Sequence, residues 1–184
     1  MSSQQSSYKP LPPPRRIITT HNAAGQAILS TSLAPEVPKA SAPGIDLYLA
    51  YSSPSLPAPL PQDADLAAYE THLPNNIGIA LPGGLAARIV DILPGGPDVP
   101  LHRTESLDTG VLIEGELELV LDSGEKTVLK RGDVYVQRGT MHGWRNCSET
   151  ETARFFVMLA AAEMPVFEGQ RLGEVMPVPD SGAE

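Results

Sequence analysis

The chain has 184 residues, 41% of them hydrophobic and 19% charged, with a net charge of -9. This length suits one domain with a hydrophobic core, and the acidic balance argues against nucleic acids and anionic membranes as partners. One cysteine excludes an intramolecular disulfide framework. With no apolar N-terminal leader and no apolar run of membrane-spanning length, the sequence predicts a soluble, cytoplasmic protein.

Composition divides the chain into three regions. Residues 1–14 are rich in Ser, Gln and Pro and predict a flexible arm. Residues 15–165 carry the apolar, strand-like segments of one domain, and residues 166–184 are a tail that we expect to pack partly through Val166 and Phe167. Near the front of the domain, turn residues at 22–25 predict a hairpin between two short β-rich runs.

The middle of the chain alternates strands with proline-rich loops. The segment 45–51 predicts a strand, and Asp63 is the expected cap of a single helical turn. The segment 85–92 is apolar on both faces, which favours a place inside a layered sheet. Arg88 is the one basic residue in that strand, and such a residue among apolar neighbours needs a partner. Either a substrate or a structural salt bridge would supply it.

Five further short strands follow, separated by glycine-containing turns. They are predicted at 111–120, 126–130, 134–137, 142–146 and 153–160. Short strands with a turn every eight to twelve residues or so are typical of a sandwich or barrel.

Two polar clusters flank these strands and hold the residues best suited to chemistry. His102, Thr104 and Asp108 share the same parity, which predicts that they point to one face of a strand. His142 lies in the second cluster and would meet them inside a rolled sheet. Two imidazoles and a carboxylate suit Fe(II), Mn(II), Zn(II) or Ni(II), and the same groups can act as acid–base catalysts without a metal.

The spacing of both clusters resembles the two motifs of the cupin family. The segment GPDVPLHRTESLDTGVLIEG, 96–115, reproduces the spacing of the first motif, with Thr104 where a second His belongs and Asp108 in place of Glu. The segment GDVYVQRGTMHGWRN, 132–146, follows the second motif one residue short, with Gln137 in place of Pro. Longer stretches are similar to small single-domain cupins, of which fungal members often belong to secondary-metabolite pathways.

The resemblance implies an all-β fold, namely an antiparallel β-barrel of the jelly-roll type with extra N-terminal strands. Cupins are commonly dimers, so a homodimer is expected, and the N-terminal strands could add to the partner's sheet. His102, Asp108 and His142 are the candidate catalytic residues and the candidate ligands of a divalent metal such as zinc or iron. Because a threonine replaces one histidine, a metal-free site is the alternative.

Three functions are compatible with these residues. The first is an enzyme that performs a redox-neutral decarboxylation, dehydration, cyclisation or isomerisation on a small aromatic or polyketide-like carbonyl or carboxylic acid compound. The second is an iron-dependent dioxygenase, and the third is a small-molecule binder without catalysis. The candidate substrate-binding residues are Thr104, Arg88, Tyr135 and Trp144, although core packing is the default role for the two aromatic ones.

Overall fold

A computed structural model describes residues 8, 10–75 and 77–176. In these residues the chain forms mostly short antiparallel strands and very little helix. The strands, in chain order, are β1 Thr19–His21, β2 Ala27–Leu29, β3 Lys39–Ala42, β4 Ile45–Ser53, β5 Leu85–Ile92, β6 Val99–His102, β7 Ser106–Glu114, β8 Leu117–Leu121, β9 Lys126–Leu129, β10 Val134–Arg138, β11 His142–Asn146, β12 Ala153–Ala161, β13 Val166–Phe167 and β14 Gln170–Arg171. The helices are a 3-10 turn, Pro61–Asp63, and α1, Ala64–His72.

Two antiparallel sheets form the body of the domain. The larger sheet has the strand order β10-β7-β12-β5-β4-β3, and the smaller has the order β6-β11-β8-β9. Apolar side chains of both sheets meet in one core, with Ile92 and Leu112 from the larger sheet and Leu117 and Trp144 from the smaller. This is a jelly roll, so the predicted all-β fold class is confirmed.

The N-terminal strands are present, and two of them extend the larger sheet of their own chain. β3 pairs with β4, which pairs with β5. The predicted hairpin around 22–25 is formed by β1 and β2, which pair with no other strand of the described residues. Residues 1–7 and 9 of the expected arm lie outside the described residues. Pro12, in the same arm, accepts a hydrogen bond of 2.8 Å from Arg154 Nη1.

The helical segment is longer than the single turn predicted from the sequence. α1 has nine residues, and Asp63 stands at its N-cap position without a side-chain capping bond. Tertiary contacts account for the extra length, because Tyr69 is fully buried and its hydroxyl lies 2.6 Å from the Leu49 carbonyl oxygen. No helix in the described part of the chain is long and apolar enough to cross a membrane.

Strand β5 lies inside the larger sheet, as predicted, and divides its side chains between two environments. Arg88, Val90 and Ile92 line the interior of the domain. On the opposite face Asp91 forms a buried ion pair with Arg154, whose Nε and Nη2 atoms each lie 2.6 Å from a carboxylate oxygen. β5 therefore presents one basic residue to the cavity and pairs its acidic residue with Arg154 on the opposite, also buried, face.

The tail folds back on the domain, although not through the expected residues. Val166 and Phe167 are 60% and 62% exposed, so the expectation that they pack is wrong. The contact comes later, where Val175 pairs with Arg103 through backbone hydrogen bonds. Residues 177–184 of the predicted tail lie outside the described residues.

Candidate functional site

A cavity of about 610 Å³ is lined by residues of both sheets and of the segment that follows α1. Every residue that the sequence nominated for the site contributes to its lining. These residues are Arg88, His102, Thr104, Asp108, Tyr135, His142 and Trp144. Most of the remaining wall is aliphatic or aromatic, which is the composition expected of a small-molecule site.

The two histidines lie side by side on neighbouring strands of the smaller sheet. His102 ends β6, His142 begins β11, and the two residues are register partners. Their ring centroids are 4.3 Å apart with an angle of 56° between the planes. Both side chains are more than nine-tenths buried.

The backbone fixes the tautomer of both imidazoles. Nδ1 of His102 lies 2.8 Å from the Pro100 carbonyl oxygen, and Nδ1 of His142 lies 3.0 Å from the Thr140 carbonyl oxygen. A carbonyl oxygen can only accept a hydrogen bond, so each Nδ1 carries the proton. Each neutral ring therefore keeps its Nε2 as a free base.

Burial keeps both rings neutral near physiological pH. Removal from water lowers the pKa of His102, and it lowers the pKa of His142 to about 4, helped by the nearby His102. The hydrogen bonds to Pro100 and Thr140 oppose this effect without cancelling it.

Asp108 supplies a buried carboxylate close to two hydroxyl groups. Ser106 Oγ donates to Asp108 Oδ1 at 2.5 Å, and Thr104 Oγ1 lies 3.5 Å from Oδ2. Burial raises the pKa of Asp108 to about 6, although the two hydroxyls act in the opposite direction. The carboxyl group is thus poised to exchange a proton near neutral pH.

The even numbering of His102, Thr104 and Asp108, which predicted a shared strand face, does not give their actual positions. His102 lies in the smaller sheet and Asp108 in the larger one, because the chain crosses between sheets at residues 103–105. The prediction that the three share one face of one strand is wrong. They nevertheless line the same cavity, since the two sheets face each other.

Two buried donors near Asp108 have no hydrogen-bond partner among the described residues. They are the Tyr135 hydroxyl and Gln137 Nε2, both on β10 and both lining the cavity. Gln137 is the register partner of Asp108, and burial together with the Asp108 charge raises the pKa of Tyr135. Unsatisfied buried donors are rare in native proteins, so these two are suited to a bound oxygen atom.

Gln137 and Ser106 were not nominated by the sequence. Gln137 stands where the second motif has a proline, which hid its role as a donor, although it shares the parity of Tyr135. Ser106 shares the parity of Asp108 within β7 and could have been found by that rule.

Aromatic side chains form one wall of the cavity. Trp144 lies 5.1 Å from Tyr135 and 5.3 Å from Phe155 between ring centroids, and His142 contacts Trp144 at 5.6 Å. Trp144 is the sole tryptophan of the chain. Its fluorescence will therefore report on whatever occupies the cavity.

The predicted three-ligand metal set is not assembled by the side chains as they stand. No group of three His, Cys, Asp or Glu side chains in the described part of the chain is arranged to hold a metal ion. The two Nε2 atoms are suitable donors, but Asp108 is engaged by Ser106 and Thr104. A metal would have only the histidine pair unless the carboxylate reoriented.

Comparisons with known proteins identify the family of this fold. The family model described as "Cupin domain" matches residues 88–159, which span β5 to β12. Phomopsin biosynthesis cluster protein C' of Diaporthe leptostromiformis is 44% identical over 177 residues, which are 95% of this chain and 93% of that protein.

Two further fungal relatives extend over most of the chain. Oryzines biosynthesis cluster protein J of Aspergillus oryzae is 45% identical over 167 residues, covering 90% of this chain and 93% of that protein. The cupin-domain-containing oxidoreductase srdB of Neurospora crassa is 34% identical over 160 residues, covering 86% of this chain and 79% of its own.

Proposed function

This chain belongs to the cupin family, and we propose that it is an enzyme of secondary metabolism that moves protons on a small carbonyl or carboxylic acid compound. The overall reaction would be redox-neutral: a decarboxylation, dehydration, cyclisation or isomerisation. One observation carries the proposal. Two neutral imidazoles with free Nε2 atoms and a carboxyl group with a pKa of about 6 line one largely apolar cavity.

The histidines would act as the bases. A carbon next to a carbonyl group releases a proton to Nε2 of His102 or His142, and the electron pair of the broken C–H bond moves into the carbonyl to give an enolate. The proton then returns to another atom of the substrate, which completes an isomerisation or prepares a cyclisation or elimination. Asp108 would hold or deliver a proton, because its pKa lies near the working pH.

The unpaired donors of β10 would stabilise the enolate oxygen. The Tyr135 hydroxyl and Gln137 Nε2 are buried and already positioned by the sheet. Donors that are fixed before the reaction stabilise developing charge without reorganisation. Trp144 and Phe155 would pack against the apolar part of the substrate.

Proton abstraction can be tested before the natural substrate is known. A panel of β-dicarbonyl and β-keto acid compounds is incubated with the protein in deuterated water, and isotope exchange at the acidic carbon is followed by mass spectrometry. We expect His102→Gln and His142→Gln to slow exchange by at least about 100-fold. His21→Gln is the matched control, because His21 is exposed and lies in β1 away from the cavity.

The outcome separates the proposal from simple binding. Exchange that is unchanged in the double variant would overturn the assignment of the histidines. Ligands that quench Trp144 fluorescence but undergo neither exchange nor conversion in the wild type would favour a non-catalytic binding protein.

A second candidate is metal-dependent oxidation, such as an iron dioxygenase. The name of the Neurospora crassa relative, which calls that protein an oxidoreductase, favours it. Elemental analysis of protein purified without chelators, compared with His102→Ala, measures metal content. Stoichiometric iron that is lost in the variant, together with oxygen consumption, would support this candidate over the redox-neutral one.

A further inference from the structure

Arg88 brings a buried positive charge to the wall of the cavity. It lies on β5 and is 9% exposed. Its register partners on the adjacent strands are Leu49 and Val157, both of which also line the cavity. Burial among such residues is costly for a cation, and it lowers the pKa of Arg88.

The hydrogen bonds of Arg88 orient its guanidinium group without neutralising it. Nε donates to the Ile79 carbonyl oxygen at 2.8 Å, and Nη2 donates to the Gly78 carbonyl oxygen. Both acceptors are uncharged. A guanidinium group has five N–H donors, so three remain for another partner.

No carboxylate of the described residues forms an ion pair with Arg88. Arg154, on the neighbouring strand β12, differs from Arg88 because it has a counter-ion. It donates two hydrogen bonds of 2.6 Å to the Asp91 carboxylate. Asp108 also lines the cavity, but Arg88, Val157 and Gly110 form one row across β5, β12 and β7. Asp108 is two residues beyond that row, on a strand about 10 Å from β5.

We propose that Arg88 binds a carboxylate group of the ligand, which makes the substrate a small carboxylic acid in its anionic form. The ligand would supply the counter-ion that the described residues do not provide. A planar guanidinium with free N–H groups matches a carboxylate in a two-point contact. This inference rests on the proposed function only in taking the cavity as the substrate site, and it narrows the substrate from carbonyl compounds in general to carboxylates.

Matched acids and amides test this directly. Octanoate and phenylpropanoate are titrated against octanamide and phenylpropanamide at neutral pH, with Trp144 fluorescence and calorimetry as independent readouts. We expect the wild type to bind each acid on the order of 10- to 100-fold more tightly than its amide. In Arg88→Met the ratio should fall close to one, while Arg88→Lys, which keeps the charge, should retain part of the preference. Arg131→Met makes the same chemical change at a side chain that is 74% exposed, and it should leave the ratio unchanged.

Three results would overturn the proposal: equal affinities for acid and amide in the wild type, an unchanged preference in Arg88→Met, or no binding of any acid at millimolar concentrations. The comparison of acid and amide affinities in the wild type tests the proposal even if Arg88→Met fails to fold. His142→Gln separates this inference from the proposed function, because it should abolish isotope exchange and leave the preference for acids intact. The wild type could prefer acids through Arg88 and yet show no isotope exchange that depends on the histidines. That result would refute the proposed reaction and still support the carboxylate site.

Discussion

Asp108 carries a charge that its surroundings disfavour, and this has a measurable effect on stability. Its pKa rises from 3.8 to about 6 on folding. Between these values the folded protein keeps a proton that the unfolded chain has lost, so the ionisation of Asp108 lowers stability as pH rises through this window. A shift of this size corresponds to about 3 kcal/mol of destabilisation at neutral pH.

Asp108→Asn removes this penalty because an amide does not ionise. We expect the stability of the variant relative to the wild type to improve between about pH 4 and pH 6, by up to about 3 kcal/mol, and then to stay constant. Urea denaturation at several pH values measures the difference. The lowered pKa of His142, which acts in the opposite direction, is common to both proteins and largely cancels. A stability difference that does not vary with pH would contradict the assignment.

At the level of single residues, the sequence predicted which side chains line the cavity better than it predicted their geometry. The motif positions predicted that His102, Asp108 and His142 would converge, and all three line one cavity. The rule that alternate residues share a strand face failed across residues 103–105, because the backbone leaves the smaller sheet and enters the larger one there. The Nδ1 bonds that fix both tautomers depend on the backbone geometry two residues before each histidine, which residue types alone do not reveal.

Strands β7 and β10 pack together through a contact between a glycine and an aromatic ring. A Cβ atom on Gly110 would lie 2.2 Å from Cζ of Tyr135, so the ring occupies the space above the glycine. The Tyr135 ring in turn makes an edge contact with Trp144. Gly110 therefore fixes where the Tyr135 hydroxyl lies in the cavity.

Gly110→Ala should displace that ring. We expect a loss of about 1–3 kcal/mol of stability from overpacking and a shift in Trp144 emission, because its aromatic neighbour moves. Gly173→Ala is the control, since a Cβ there has no atom nearer than Glu105 Oε1 at 3.7 Å. Chemical denaturation and fluorescence spectra provide the two readouts. Wild-type stability and emission in Gly110→Ala would show that the ring adapts freely.

At the level of elements, the sequence predicted strands and helices correctly where the local residue pattern determines them. It failed where contacts with distant parts of the chain determine them. The segment 85–92 was predicted to lie inside a layered sheet, and β5 pairs there with β4 on one side and β12 on the other. The length of α1 was underestimated because its stability comes from burial of Tyr69 against β4, which is distant in sequence. Gln137 was overlooked because the second motif has a proline at that position, and its register pairing with Asp108 joins two strands that are distant in sequence.

At the level of the whole molecule, the front hairpin joins neither of the two large sheets of the described residues. Among the described strands β1 and β2 pair only with each other, although Thr20 Oγ1 donates a hydrogen bond to Asp63 Oδ1 at 2.7 Å. Ile17 and Leu29 are each 66% exposed. An isolated two-stranded hairpin is marginally stable in water. These features fit the expected homodimer, in which the hairpin would pack on the sheet of a second copy.

Sedimentation velocity should therefore detect a dimer that depends on the hairpin. We expect Ile17→Lys combined with Leu29→Lys to shift the protein to a monomer, because two charges would be buried without partners at the interface. Val134→Lys combined with Val136→Lys is the matched control on β10, where the side chains are 66% and 57% exposed. If the β10 variant dissociates instead, the second copy docks on the larger sheet edge, and if the wild type is monomeric at all concentrations, the hairpin is not an interface.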